Sequence, residues 1–192
     1  MIDDDTTRNA AEVVSSLTVD ALVQDLAQRL APLVREVPNP CLIGIQRRGD
    51  VLARRICDLL NRELEIDLPL GTLDITLYRD DFDSLTRTPV VGQTDIPFAI
   101  DDRTIILVDD VLYTGRTIRA AMDEILEFGR AGRVILAVLV DRGWRELPIA
   151  ADFAGQVLTT EYADVVQVRV SEIDGHDEVR FISAGERDAN VD

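Results

Sequence analysis

Residues 104–117 read TIILVDDVLYTGRT and carry the strongest structural signal in the chain. The run from Thr104 to Val108 is apolar and rich in β-branched residues, which is typical of a strand that is covered on both faces of a sheet. Two acids and a short loop around Gly115 follow, and helical spacing then runs from Thr117 to Phe128. A buried strand that leads through a short loop into a helix predicts an α/β fold with a mostly parallel sheet.

The flanking sequence repeats this alternation of strands and helices. Ligands of such a sheet bind at the carboxyl ends of its strands, so the loops after the strands are the place to look for a site. Thr18 is placed to cap the first helix, and the polar stretch 79–103 predicts a long excursion. The predicted helices are Val19–Val34 and Asp50–Arg62, and the other predicted strands are Cys41–Ile45, Leu70–Tyr78, Val134–Val140, Val165–Val170 and Val179–Ile182.

The acids and the loop after the central strand suit different parts of a phosphorylated sugar. Asp109 and Asp110 are hydrogen-bond acceptors, which fits the vicinal hydroxyls of a ribose. The backbone N–H groups at the start of the following helix fit a phosphate, which Gly115 allows to approach closely. Thr114 and Thr117 can donate hydroxyl hydrogen bonds to the same phosphate.

Each part of this segment has an ordinary structural alternative. A pair of acids at a strand end is, by itself, most often a solvated turn, and only the combination with hydroxyls, glycine and a helix start favours a ligand site. A Walker phosphate loop is excluded because the segment lacks Gly-Lys-Ser/Thr. A dinucleotide fingerprint is excluded because the glycine spacing is wrong.

Composition predicts one cytoplasmic domain with an unusually acidic surface. The chain has 192 residues, and 46% of them are hydrophobic, which suffices for a core. It has no apolar run long enough to span a bilayer and no N-terminal signal pattern, and Cys41 and Cys57 are expected to be buried free thiols. Its 36 acids outnumber 20 basic residues, all of them Arg, which gives a net charge of −16. A salt-adapted host and an arginine-rich codon usage both remain open as the reason.

Three blocks of this sequence resemble one family. They are Leu73 to Asp81 (LDITLYRDD), Val108 to Thr117, and Leu139 to Gly143 (LVDRG) with Arg145 to Pro148. The second block looks like the phosphoribosyl pyrophosphate signature of the type I phosphoribosyltransferases. Together they resemble the pyrimidine-operon attenuator/uracil phosphoribosyltransferase family, PyrR, over residues 19–170. The resemblance implies the type I phosphoribosyltransferase fold, with a flexible catalytic loop and a small hood.

The resemblance also implies roles for particular residues. Asp109, Asp110 and Arg79 are the candidate catalytic residues; Arg79, in the excursion that resembles the catalytic loop, would stabilise departing pyrophosphate, as would Arg87 unless it only covers the loop surface. A loop that matches the pyrophosphate loop of the family, often built around a cis peptide, contains Arg47, Arg48 and Gly49, although these arginines also suit a solvated turn. The remaining candidate substrate-binding residues are Val111, Leu112, Tyr113, Thr114, Gly115, Arg116 and Thr117 for the phosphate and Asp141 and Arg142 near the base.

The implied reaction joins uracil to phosphoribosyl pyrophosphate and yields UMP and pyrophosphate. Mg²⁺ would enter mainly through the substrate pyrophosphate, and no metal site made of protein ligands is expected. No strong general base is apparent in the loops, and the only histidine, His176, lies far along the chain. Positioning and charge stabilisation are therefore expected to supply most of the rate. Trp144 suits either a base-stacking role or cover for an apolar surface, and Arg54 and Arg55 are expected on the outer face of their helix.

RNA is the uncertain partner. The family pairs the enzyme with UMP-dependent messenger RNA binding, but here the first helix carries only Arg29 and Arg35 against three acids, and Arg142 and Arg145 remain on the later segment. Two alternatives stay open beside the uracil enzyme: an RNA-binding regulator with weak catalysis, and an enzyme for another base. Family likeness also implies a homodimer or higher homo-oligomer. The expected layout is a flexible segment 1–17, a domain 18–183 and a polar tail 184–192.

Overall fold

Five parallel strands form the central sheet. The computed structural model describes residues 18–75 and 93–185. Within these ranges the spatial order is β2-β1-β3-β4-β5. The predicted parallel α/β sheet is therefore confirmed, with one strand, β5, that the sequence patterns did not predict. The strands are β1 (Pro40–Ile45), β2 (Leu70–Leu73), β3 (Thr104–Leu112), β4 (Arg133–Asp141) and β5 (Phe153–Val157).

Helices cover both faces of this sheet. α1 (Val19–Glu36) and α2 (Gly49–Leu64) pack on one face, and α3 (Arg116–Glu127) packs on the other. Successive residues of β3 point to opposite faces, so Ile106 contacts the α1–α2 side while Ile105 and Leu107 contact the α3 side. Burial on both faces explains the continuous apolar run of this strand. The predicted cap of α1 is confirmed, because Thr18 Oγ1 accepts a hydrogen bond from the Ala21 N–H at 3.2 Å.

Two strand ends differ from the sequence prediction, and the pairing explains both. β2 was predicted to continue to Tyr78, but it ends at Leu73, where its partner β1 also ends, at Ile45. β3 was predicted to end at Val108, but it continues to Leu112 because β4 pairs with it that far. The ladder between β1 and β3 does stop at Val108. The two acids that follow therefore lie inside β3, beside the open end of β1.

A small hood packs against the α1–α2 side of the sheet. It consists of β6 (Val165–Arg169), α4 (Ser171–Asp174) and β7 (Glu178–Ile182), with β6 and β7 antiparallel. Val168, Val170 and Val179 are buried in the same apolar cluster as α1 and α2. The apolar contact fixes which side of the hood faces the sheet, and the loop between the two hood strands is thereby brought to the start of α2.

Arg55 ties the hood to the helices. Its guanidinium donates hydrogen bonds to Glu172 and Asp177 of the hood and to Asp20 of α1, at 2.6 to 3.3 Å. These bonds raise the pKa of Arg55 and lower the pKa of Glu172 and Asp177. The prediction of a plain solvated position was wrong for Arg55, whose side chain is only 17% exposed. It was wrong because the carboxylates arrive from more than a hundred residues later in the chain.

The prediction of two buried free thiols is confirmed. Cys41 and Cys57 are both buried and free, and burial raises the pKa of each to about 11. None of the described helices has the length and apolar character to cross a membrane. Arg79 and Arg87, the predicted catalytic-loop residues, lie outside the described residues, as do residues 1–17 and 186–192.

Candidate active site

A cavity of about 620 Å³ opens at the carboxyl ends of β1 and β3. It brings together loops that are far apart in the sequence: the turn after β1, the segment that ends β3, and the turn after β4. Gly49 and Asp141, two further predicted site residues, do not line it. The predicted site residues that line it are Arg47, Arg48, Asp109, Asp110, Val111, Leu112, Tyr113, Thr114, Gly115, Arg116, Thr117 and Arg142.

The two acids differ in their surroundings. Asp109 is 4% exposed, and its Oδ1 accepts a hydrogen bond from the Asp110 N–H at 3.0 Å. Asp110 lines the cavity, and its Oδ1 accepts the Val111 N–H at 2.8 Å. Burial raises the pKa of Asp110 above the ordinary aspartate value, although the Val111 N–H and the nearby Arg48 charge act in the opposite direction. Asp110 is thus the more exposed of the two acids, and both line the cavity.

The loop from Tyr113 to Thr117 leads directly into α3. Gly115 is the N-cap of the helix at a φ of +91°, a conformation that glycine adopts without strain. Gly115 has no side chain with which to cap the helix, and the first turn carries no acid, among the residues described. Thr114 Oγ1 accepts the Arg116 N–H at 3.3 Å, which folds the loop around the helix start. A helix N-terminus with a glycine at the cap position and hydroxyl side chains beside it is suited to a phosphate.

The turn between β1 and α2 forms the opposite wall. The Gln46–Arg47 peptide is cis, as the family resemblance implies. Arg47 is exposed and lines the cavity, whereas Arg48 forms two hydrogen bonds with Asp174 of the hood. Gly49 is buried against β3, and a Cβ there would lie 2.6 Å from the Val108 carbonyl oxygen. The turn therefore presents two guanidinium groups to the cavity, while its backbone contacts β3, the strand that contains the two acids.

The turn after β4 forms the third wall, and Arg142 organises it. Arg142 is buried, and its guanidinium donates to the carbonyl oxygens of Asp164 (2.6 Å) and Glu161 (2.9 Å). It also lies 4.0 Å from the centre of the Tyr113 ring. Asp141 Oδ1 accepts the Gly143 N–H at 2.9 Å, so this acid holds the turn in shape. Arg142 and Asp141 thus build the wall through backbone contacts.

Sequence reasoning missed two acids near the cavity and left one aromatic residue undecided. Asp74 is 8% exposed and lines the cavity just after β2; no signal in the sequence pointed to it, because the predicted strand Leu70–Tyr78 placed it inside a strand. Asp174 has no local signal, because its partner Arg48 is 126 residues away. Trp144 donates its indole N–H to the Thr160 carbonyl oxygen at 2.7 Å and packs edge-on against Tyr162. It is 45% exposed beside the turn after β4.

Comparison with known proteins gives the family. The family model described as "Phosphoribosyl transferase domain" matches residues 17–172. The chain is 51% identical over 157 residues to "Bifunctional protein PyrR" from Roseiflexus sp. (strain RS-1), with 82% of this chain and 84% of that protein covered. The chain belongs to the PyrR family of phosphoribosyltransferases. Within the same family, a protein from Thermus thermophilus is 44% identical over 174 residues, covering 91% of this chain and 96% of its own length.

Solved structures confirm the type I phosphoribosyltransferase fold. A purine phosphoribosyltransferase from Pyrococcus horikoshii is 26% identical with a TM-score of 0.54, covering 72% of this chain and 81% of that one. A Trypanosoma cruzi hypoxanthine phosphoribosyl transferase has a TM-score of 0.61 at 17% identity, covering 90% and 93% of the two chains. The second likeness bears on the fold alone.

Proposed function

We propose that the chain transfers ribose 5-phosphate from phosphoribosyl pyrophosphate to N1 of uracil, giving UMP and pyrophosphate. The observation that carries the proposal is that a helix start with a glycine cap, two acids and two guanidinium groups meet in one cavity. These are the groups that a sugar phosphate with a diphosphate leaving group requires. Membership of the PyrR family supports uracil as the acceptor base.

Each wall of the cavity has a part in the proposed reaction. The loop from Tyr113 to Thr117 holds the 5′-phosphate, and Asp109 and Asp110 accept hydrogen bonds from the ribose hydroxyls. In the transfer, the bond between ribose C1 and the diphosphate oxygen breaks while the bond from C1 to uracil N1 forms, and the proton of N1 passes to the departing diphosphate or to water. Arg47 and Arg48 stabilise the charge that develops on the departing diphosphate. The uracil lies towards the turn at Asp141 and Arg142, where backbone groups can read its edge.

Magnesium fits this cavity. The ion would be held mainly by the diphosphate oxygens of the substrate, and the carboxylates of Asp109 and Asp110, oxygen groups of the kind that Mg²⁺ prefers, would add negative charge nearby. When bound, the ion neutralises part of the charge on the leaving group. The protein residues orient the sugar and bind the diphosphate as it leaves.

A panel of bases tests the proposed acceptor. With phosphoribosyl pyrophosphate and Mg²⁺, we expect nucleotide to form from uracil and not from orotate or hypoxanthine, because the residues around the turn after β4 match the uracil family. The products are separated by chromatography, with reactions that lack phosphoribosyl pyrophosphate as the control. Orotidylate or a purine nucleotide as the main product would show that the base assignment is wrong.

We also propose that this chain binds RNA only weakly. Of the arginines that could contact RNA, Arg29 donates to Asp25 and to the Ala154 carbonyl oxygen, and Arg145 donates to the Tyr113 and Gly143 carbonyl oxygens, whereas Arg35 is exposed. Arg142 is buried. Much of the affinity for RNA comes from cations that contact phosphates, and the chain as a whole carries a net charge of −16. The alternative, a UMP-dependent RNA-binding regulator, draws support from the relatives' name, "Bifunctional protein".

Filter binding of a pyrimidine-operon leader transcript separates these roles. We expect binding no tighter than about 1 µM at physiological salt, the range of non-specific association, with and without UMP. A transcript of the same length with scrambled sequence is the control. Tight binding of the leader alone that UMP strengthens would favour the regulator.

Domain limits, assembly and location complete the proposal. Residues 18–183 form the phosphoribosyltransferase domain, and segments 1–17 and 184–192 flank it. Family likeness supports a homodimer or higher homo-oligomer in the cytoplasm.

A further inference from the structure

Arg48 is held by a carboxylate of the hood. Its Nε donates to Asp174 Oδ2 at 3.0 Å and its Nη2 donates to Asp174 Oδ1 at 2.8 Å, so the pair is bidentate. The side chain of Asp174 is 17% exposed, and its Oδ2 also accepts the Val170 N–H at 2.9 Å. Hydrogen bonding to Arg48 lowers the pKa of Asp174 to about 2. The carboxylate is therefore ionised at every pH at which the protein would work.

The pair fixes a guanidinium group at the rim of the site. Arg48 is the N-cap of α2, directly after the cis peptide, and it lines the cavity that contains Asp110. Asp174 binds the Nε and Nη2 edge, and among the described residues no other partner takes Nη1. One nitrogen of a fixed guanidinium thus remains for a ligand in the cavity.

Two acids attract the same guanidinium. Asp110, the open acid of the sugar site, interacts electrostatically with Arg48, as Asp174 does. An arginine released by Asp174 would turn towards Asp110, and that movement would occupy the carboxylate that the ribose hydroxyls need. Asp174 therefore keeps two groups available at once: Arg48 for the diphosphate and Asp110 for the sugar.

We propose that Asp174 is a positioning residue for phosphoribosyl pyrophosphate: it holds Arg48 at the diphosphate position and away from Asp110. The inference rests on the proposed function and adds to it a residue of the hood that does not line the cavity containing Asp109 and the phosphate loop. It assigns to the hood a part in binding phosphoribosyl pyrophosphate.

The structure contains a matched control for this role. Asp177 lies three positions later in the same hood, accepts the Ser171 N–H, and forms a bidentate pair with Arg55 of the same helix α2. Arg55 does not line the cavity that holds the acids. Asp177 and Asp174 thus anchor the hood in the same manner, and only Asp174 acts on a guanidinium of the site.

Steady-state kinetics with Asp174→Asn and Asp177→Asn test the proposal. We expect Asp174→Asn to raise the KM for phosphoribosyl pyrophosphate about tenfold, the effect of losing one charge-assisted interaction, with the KM for uracil unchanged. Asp174→Glu, which keeps the charge, is expected to recover most of this loss. Asp177→Asn is expected to lower the melting temperature and to leave both KM values within about twofold of the wild type.

The double variant Arg48→Gln with Asp174→Asn tests most directly whether Asp174 acts through Arg48. Once Arg48 is gone, Asp174 has nothing to position, so the double variant is expected to have the KM of Arg48→Gln alone. Multiplied effects would overturn the proposal, as would equal KM shifts in Asp174→Asn and Asp177→Asn. A wild-type protein that makes no UMP would instead refute the proposed function, which separates the two failures.

Discussion

Replacement of Asp109 and Asp110 together by Asn is expected to lower kcat/KM for phosphoribosyl pyrophosphate by about a thousandfold, the scale seen when a charged group that contacts the reacting sugar is removed. The side chains keep their size, but the ribose hydroxyls lose two charged acceptors. The change is measured by steady-state formation of UMP at saturating uracil.

Stability is expected to change far less than activity in this variant. Burial raises the pKa of Asp110, so folding favours its protonated form, and its contribution to stability is lost as pH rises from the unfolded pKa through the raised folded pKa. Above the unfolded pKa this raised pKa therefore disfavours folding, and a neutral amide side chain at that position removes that cost. An asparagine in place of Asp109 can still accept the N–H of the next residue through its amide oxygen. We expect the free energy of unfolding to change by less than about 1 kcal/mol.

Asp123→Asn is the matched control for this loss of charge. Asp123 lies on the exposed side of α3, where its carboxylate is 3.6 Å from Arg119 Nη2. We expect this variant to retain wild-type kcat/KM within about twofold, because exposed ion pairs contribute little. Wild-type turnover in the Asp109→Asn, Asp110→Asn variant would refute the role of the acids in holding the ribose.

Gly49→Ala is expected to damage both stability and activity. The added Cβ would lie 2.6 Å from the Val108 carbonyl oxygen and 3.0 Å from Asp109 Cα, and because both are backbone atoms of β3, no flexible side chain can move aside to relieve the contact. α2 would have to shift away from β3, which carries Arg48 away from the acids. We expect the free energy of unfolding to fall by about 2 kcal/mol, as in overpacked cores, and kcat/KM to fall about a hundredfold.

Chemical denaturation and steady-state kinetics measure the two effects. Gly185→Ala is the control, because no atom lies within 4 Å of a Cβ built there. If Gly49→Ala behaved like Gly185→Ala, the close approach of α2 to β3 would not be what holds the site together.

Local patterns in the sequence determined the framework of this protein. The apolar run before Asp109, the glycine at 115 and the helical spacing after it depend on neighbours within a few residues, so a strand, a loop and a helix could be read in order. Because parallel strands end at one edge of the sheet, the sequence alone also predicted that the loops at 46–49 and 109–117 lie together. The cavity confirms that placement.

The tertiary structure decided what the side chains in those loops touch. β5 has a short, weakly alternating sequence that only pairing with β4 makes a strand. Arg142 was expected near the base, but packing directs its guanidinium to the carbonyl oxygens of residues 161–164. Arg48 and Arg55 look alike in the sequence, and only the hood, folded back from over a hundred residues away, gives one to the site and the other to an anchor. Such partners follow from packing across the whole chain, which no local pattern encodes.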